Sequence, residues 1–68
     1  MSSSWKYIES APSNTKKMFV VCAFDVILDS GSKYTSDPVT TWAENGKFPR
    51  WKHDFEPTHW VELPEFYR

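Results

Sequence analysis

The amino-acid sequence predicts a single, mainly β domain that spans residues 1–68. Its longest apolar segment, residues 18–28, is rich in β-branched and aromatic side chains, as is typical of a buried strand. Turn-forming residues around Gly31 and at Asn45-Gly46 then divide the chain at the spacing of hairpins. These observations favour an antiparallel β-meander of three to five short strands with an aromatic-rich core, and a small α+β fold is the alternative class.

Aromatic residues are expected to supply the stability that so short a chain otherwise lacks. A domain of this size buries about 60% of its unfolded surface, and Cys22 is the single cysteine, so no disulfide can form within the chain. The sequence contains four tryptophans, three tyrosines and five phenylalanines. Each can bury about 150–250 Å², and the position of Trp60 within an apolar strand places it in the predicted core.

The apolar segment 18–28 is hydrophobic on both alternate faces over most of its length. A strand of this kind lies in the middle of a sheet with both faces covered, so Val20 and Cys22 are expected to be buried. Asp25 interrupts one face and marks either a bulge or the point where the strand emerges into solvent.

Two hairpins are predicted after the central strand. Residues 29–32 form the first turn, so the polar segment that follows returns antiparallel. The next strand covers residues 39–42, and it begins at Pro38 or lies at a sheet edge because proline donates no ladder hydrogen bond. Residues 44–47 carry the Asn-Gly pair that favours a type I′ turn, and residues 48–51 are expected to pair back.

Both ends of the chain also carry strand patterns. Residues 5–8 alternate apolar and polar side chains, and residues 58–63 form a last strand after a polar loop over residues 52–57. Ser13 is placed to cap a single helical turn over residues 15–17.

Charge and hydropathy exclude several classes of function. The formal net charge is −1, whereas a general nucleic-acid binder normally shows a clustered basic excess. The longest apolar run is far shorter than the ~20 residues of a membrane helix. The chain starts without the basic and apolar regions of a secretory signal, and a lone cysteine fits a reducing compartment. We therefore expect a soluble, cytoplasmic protein.

Negative charge is concentrated in the middle of the chain, where four acidic residues stand against one lysine between residues 25 and 45. One interpretation is an ordinary solvated face. The other is a protein-binding strip that presents spaced carboxylates to a basic groove in place of nucleic-acid phosphates. The four acidic residues are Asp25, Asp29, Asp37 and Glu44.

Aromatic residues offer an alternative site. Trp51 and His59 are candidates for stacking a nucleobase-like ligand. The other interpretation is that His59 forms a hydrogen bond with the backbone while Trp60 fills the core. Basic residues interleave with aromatic ones near Trp51, which is the composition of a weak single-strand nucleic-acid platform and also of a packed hairpin. The residues of that stretch are Lys47, Phe48, Arg50, Trp51 and Lys52.

No catalytic or metal pattern stands out. The soft or imidazole ligands are Cys22, His53 and His59, and their spacing matches no zinc motif. No nucleophile has a recognisable base and orienting group beside it. We therefore expect no cofactor, no metal and no enzymatic activity.

Two motifs at the ends of the chain match a known pattern. Residues 5–12 read W-x-x-I-x-x-A-P, and residues 57–65 read P-T-H-W-x-x-L-P-E. In both motifs the chain resembles a family of small phage and prophage proteins of unknown function, with a hydrophobic strand and a tryptophan-containing hairpin between them. Val61 stands where the family more often has Met, and residues 33–37 have no counterpart in it.

The resemblance implies a phage genome context without an assigned activity. Small phage accessory proteins often block host defences, including CRISPR–Cas effector complexes, or sequester signalling molecules. The leading hypothesis is therefore a non-enzymatic inhibitor that docks on a host protein in the host cytoplasm. The alternatives are an oligomeric sponge for a nucleotide-like signal and an accessory protein without an inhibitory role. Nucleic acid and membranes are not expected partners, and monomer and homodimer both remain open.

Overall fold

The computed structural model describes residues 5–63, and everything below refers to that part of the chain. It contains a four-stranded antiparallel sheet, a separate two-stranded hairpin and one short 3-10 helix, Ile8–Ser10. The mainly β class predicted from the sequence is thereby confirmed. The strands are β1 Lys6–Tyr7, β2 Thr15–Cys22, β3 Val26–Ile27, β4 Lys33–Tyr34, β5 Val39–Ala43 and β6 His59–Glu62.

The strand order of the larger sheet is β1-β6-β2-β5, so the last strand lies between the first two. This order differs from a simple meander, in which neighbours in sequence pair with each other. Strand β6 pairs with β2 through Val20↔Val61 and Val21↔Trp60. Val20, Val21 and Val61 of this strand pair are completely buried. A polar segment in the place of β6 would bury less apolar surface and stabilise the sheet less.

The central strand begins earlier and ends earlier than predicted. It starts at Thr15, so the prediction of a helical turn after Ser13 is wrong. The Oγ1 of Thr15 instead accepts a hydrogen bond from the amide of Lys17 (3.1 Å). It ends at Cys22, because Asp25 takes a left-handed conformation with φ of 54° that turns the chain out of the sheet. The predicted burial of Val20 and Cys22 is confirmed.

Both predicted hairpin turns are present, but one predicted return strand is not. The amide of Glu44 and that of Lys47 each donate to the other residue's carbonyl (2.8 and 2.9 Å). Asn45 and Gly46 both have positive φ, as a type I′ turn requires. Beyond Lys47 the chain forms a tight turn instead of the strand expected over residues 48–51, consistent with the missing amide hydrogen of Pro49.

Strand β5 begins immediately after Pro38 and lies at the edge of the sheet, as predicted. One face of the sheet buries the predicted aromatic core, where the ring of Trp60 packs edge-to-face on Phe19 with centroids 5.5 Å apart. Phe48 contacts the same Phe19 ring at 5.8 Å, and Ala43 is buried beside them. No helix within residues 5–63 is long and apolar enough to cross a membrane.

Candidate binding site

The β3–β4 hairpin projects from the end of β2 and is fastened there by Ser36. The amide of Ser36 donates to the carbonyl of Ala23 (2.9 Å), and the amide of Ala23 donates to the Ser36 hydroxyl (3.0 Å). The amide of Asp25 donates to the Oγ1 of Thr35 (3.3 Å). These bonds fix the base of the hairpin, while its strands remain outside the main sheet.

The hairpin exposes apolar side chains that the main sheet would bury. Ile27 is 61% exposed, Tyr34 39% and Leu28 37%. Among the described residues, the remaining large hydrophobic side chain that is exposed is Tyr7, in β1. Ile27 pairs with Lys33 and Val26 with Tyr34, so Ile27 and Tyr34 lie on opposite faces of the hairpin. Exposed apolar side chains are normal when scattered singly, whereas here three are concentrated in one short hairpin.

The loop that faces the hairpin is held by an aromatic cluster. The indole N–H of Trp51 donates to the carbonyl of Phe55 (2.7 Å) and so closes the loop on itself. The His53 and Phe55 rings stack with centroids 4.9 Å apart and planes 11° apart. Tyr34 of the hairpin packs edge-on against Phe55 at 5.9 Å, which joins the hairpin to the loop.

An open cleft of about 470 Å³ lies between these two segments, and we call it the hairpin cleft. It is lined by residues 26–29 of the hairpin and residues 52–55 of the loop. Its volume falls within the ~300–1,000 Å³ of ordinary ligand clefts. The charged lining consists of Asp29 and Asp54 against Lys52, so the cleft combines polar and apolar surface with a small excess of negative charge.

The four residues of the predicted acidic strip are all exposed, but they do not form one strip. Asp25 and Asp37 flank the base of the hairpin, and Asp29 lines the hairpin cleft. Glu44 follows the opposite end of β5, which is about 13 Å long at ~3.3 Å per residue. Its carboxylate accepts a hydrogen bond from the indole of Trp42 (3.2 Å).

The alternative stacking residues, Trp51 and His59, lie in different clusters. Trp51 belongs to the loop beside the hairpin cleft and also packs against the core. His59 is on β6, where its Nδ1 lies 2.7 Å from the hydroxyl of Thr58. The His59 ring contacts Tyr7 at 5.1 Å and Phe24 at 4.8 Å. The structure therefore does not bring the two residues into one ligand site.

Sequence reasoning missed the residues that build the hairpin cleft. The sequence predicts a buried strand over residues 18–28, which includes Ile27, and only a polar loop over residues 52–57, which includes His53 and Phe55. One signal was available, because Trp51, His53 and Phe55 alternate in the sequence and alternate residues of an extended segment lie on one side.

Cys22 is the one nucleophilic thiol of the chain, and it is only 2% exposed. Burial raises the pKa of the Cys22 thiol, against the opposing effect of a hydrogen bond with Ser36. The thiol donates to the carbonyl of Ser36 (3.2 Å). Within residues 5–63 no three His, Cys, Asp or Glu side chains are grouped so as to hold a metal ion. The buried, hydrogen-bonded thiol packs like a small apolar side chain.

The basic and aromatic stretch noted in the sequence is divided between two roles. Phe48 and Trp51 are half-buried against the core, and Arg50 donates its amide to the buried hydroxyl of Thr41 (3.2 Å). Lys52 lines the hairpin cleft. The aromatic rings of this stretch are thus used for packing, whereas a single-strand platform requires open ring faces.

Comparison with known proteins adds no relative: no protein-family model, curated protein or solved structure matches the chain.

Proposed function

We propose that the chain is a non-enzymatic binding domain that docks on a protein partner through the β3–β4 hairpin. The observation that carries this proposal is the exposure of Ile27, Leu28 and Tyr34 within one short hairpin. Leaving such side chains in water forgoes about 25 cal/mol for each Å² of apolar area. A partner that covers them recovers this free energy.

The surroundings of the hairpin fit protein docking. The base is fixed by the hydrogen bonds between Ala23 and Ser36, so little conformational freedom is lost on binding. Exposed carboxylates at Asp25, Asp29 and Asp37 flank the apolar side chains. An apolar centre with a charged rim is the usual anatomy of a protein interface.

The proposed partner belongs to the host of a phage. The terminal motifs that resemble small phage and prophage proteins support this context, and a defence complex such as a CRISPR–Cas effector is the proposed class of target. Binding would inhibit such a complex by occupying a basic surface that it uses for nucleic acid. The sponge alternative has less support, since Trp51 and His59 lie in separate clusters.

The test is capture of a partner from a bacterial lysate with the affinity-tagged chain, read by mass spectrometry. Ile27→Ser combined with Leu28→Ser should abolish capture of any specific partner. Tyr7→Ser is the matched control, because Tyr7 is 71% exposed but lies in β1, outside the hairpin.

Circular dichroism should show that all three proteins are folded before capture is compared. Capture by wild type and by the Tyr7 variant, but not by the hairpin variant, supports the proposal. Equal capture by all three proteins would show that the interface lies outside the hairpin. Failure of every protein to capture a specific partner counts against the docking function itself.

A further inference from the structure

The hairpin cleft combines three features that together match one type of side chain. Residues 26–28 provide an aliphatic wall, the loop provides the rings of His53 and Phe55, and carboxylates stand at Asp29 and Asp54. Arginine has an apolar stem, a planar cation and a rigid fork of N–H donors. We propose that the cleft binds an arginine side chain of the partner protein, an inference that rests on the proposed docking function.

The apolar wall suits the stem of arginine. Ile27 is 61% exposed and Leu28 37% exposed at the side of the cleft. Arginine buries its methylene groups along apolar surface while its charged end remains near water. The open shape of the cleft allows this arrangement, because a side chain can enter from solvent without rearrangement of the hairpin.

The charged and aromatic lining suits the guanidinium group. Asp29 and Asp54 outnumber Lys52 in the lining, so a bound cation balances the excess negative charge. A carboxylate accepts two parallel N–H bonds from a guanidinium group, which an ammonium group cannot provide. A guanidinium group is also attracted to aromatic rings, and those of His53 and Phe55 belong to the lining of the cleft.

The same lining opposes a nucleotide. The carboxylates of Asp29 and Asp54 repel phosphate, and only Lys52 attracts it. The His53 and Phe55 rings already stack on each other with centroids 4.9 Å apart, so a base cannot insert between them. Nucleotide binding is therefore the outcome that the proposal excludes.

The probe is a blocked pentapeptide, Gly-Leu-Arg-Leu-Gly, titrated into the ¹⁵N-labelled full chain and followed by amide chemical shifts. Titration to about 10 mM detects millimolar affinities. We expect shifts confined to residues 26–29 and 52–55. Replacing the arginine by citrulline, which keeps the shape but removes the charge, should weaken binding at least about tenfold, and lysine should bind more weakly than arginine.

Variants of the chain test the role of the carboxylates. Asp29→Asn combined with Asp54→Asn should weaken binding of the arginine peptide at least about tenfold. Glu44→Gln is the matched control and should stay within about twofold of wild type, since Glu44 follows the far end of β5 from the hairpin and exposed charges at that distance are screened by salt. Glutamine also keeps the Oε1 atom that accepts the hydrogen bond from the indole of Trp42.

Four results would overturn the arginine proposal: equal binding of the citrulline peptide, equal binding of the lysine peptide, shifts outside the cleft, or shifts of cleft residues by adenosine monophosphate. An absence of shifts throughout the titration would also overturn it.

The lysate experiment distinguishes a failure of the arginine proposal from a failure of the docking function. If the Ile27 and Leu28 variant loses its partner while the arginine peptide fails to bind, the hairpin still docks a protein, but the cleft does not bind arginine.

Discussion

The hydroxyl of Ser36 lies 3.0 Å from the backbone nitrogen of Ala23 and accepts its hydrogen bond in a buried setting. Ser36 is 4% exposed and Ala23 is fully buried. The bond lies where the hairpin leaves the main sheet, so a side chain takes over the role that a strand partner would play. The orientation of the proposed binding surface depends on this contact.

Ser36→Ala should therefore destabilise the domain. The substitution leaves the amide of Ala23 buried without an acceptor, which costs about 1–3 kcal/mol. Urea unfolding followed by tryptophan fluorescence measures the loss. Ser32→Ala is the control, because Ser32 lies exposed in the β3–β4 turn and should change stability by no more than about 0.5 kcal/mol. Equal stability of the two variants would show that the Ser36 hydroxyl has no such role.

The parts of the fold that the sequence predicts well are those decided locally. Asn45 and Gly46 specify their turn because both positions require positive φ, which these residue types tolerate. Pro38 likewise restricts β5 to an edge. The burial of Val20 follows from an apolar pattern that extends over both faces of its strand.

The strand order and the cleft were not predictable in the same way, because both depend on distant residues. Trp60 pairs opposite Val21, and no local signal decides that β6 rather than a nearer segment occupies that position. The cleft forms between residues 26–29 and residues 52–55, two segments that are distant in sequence. The end of the central strand depends on one backbone angle, at Asp25, whose residue type fits a bulge equally well.

Trp60→Ala should unfold the domain or nearly so. The ring packs edge-to-face on Phe19, and its indole N–H donates to the hydroxyl of Ser10 (3.0 Å). Deleting a large buried aromatic side chain costs about 3–5 kcal/mol, which is a large share of the total stability of a small domain. Thermal unfolding followed by circular dichroism measures the effect. Tyr7→Ala is the control, because Tyr7 is exposed, and it should leave the melting temperature nearly unchanged. An unchanged melting temperature for Trp60→Ala would show that Trp60 is not a core residue.

The buried thiol of Cys22 should make stability fall in alkaline solution. Burial raises the pKa of this thiol above its ordinary value of 9.0, so the folded chain retains a proton that the unfolded chain loses. Below about pH 9 the neutral thiol makes its full contribution to the free energy of unfolding. Above that pH this contribution decreases by up to about 1.4 kcal/mol per pH unit. The difference in unfolding free energy between wild type and Cys22→Ala should therefore shrink as the pH rises above about 9. Urea unfolding at each pH measures it, and a constant difference would contradict the prediction.

Binding to the captured partner should depend on carboxylates near the hairpin. Asp29 lines the hairpin cleft, Asp37 directly follows the buried Ser36 at the base of the hairpin, and both are exposed. Asp29→Lys combined with Asp37→Lys should weaken binding at least about tenfold, because reversed charges at an interface repel a basic partner. Affinity of the wild type should also fall as salt rises, since exposed charges are screened beyond ~10 Å at 0.1 M. Isothermal titration calorimetry at two salt concentrations measures both effects.

Glu44→Lys is the control that separates a local acidic surface from a general effect of net charge. Glu44 lies beyond the far end of β5 from Asp37 and has its carboxylate engaged by Trp42. Its reversal should change affinity by no more than about twofold, because its distance from the hairpin exceeds the range of unscreened interaction. An equal loss of affinity in this variant would mean that the partner responds to net charge alone. Unchanged affinity in the Asp29 and Asp37 variant, together with indifference to salt, would leave the apolar side chains as the whole of the binding surface.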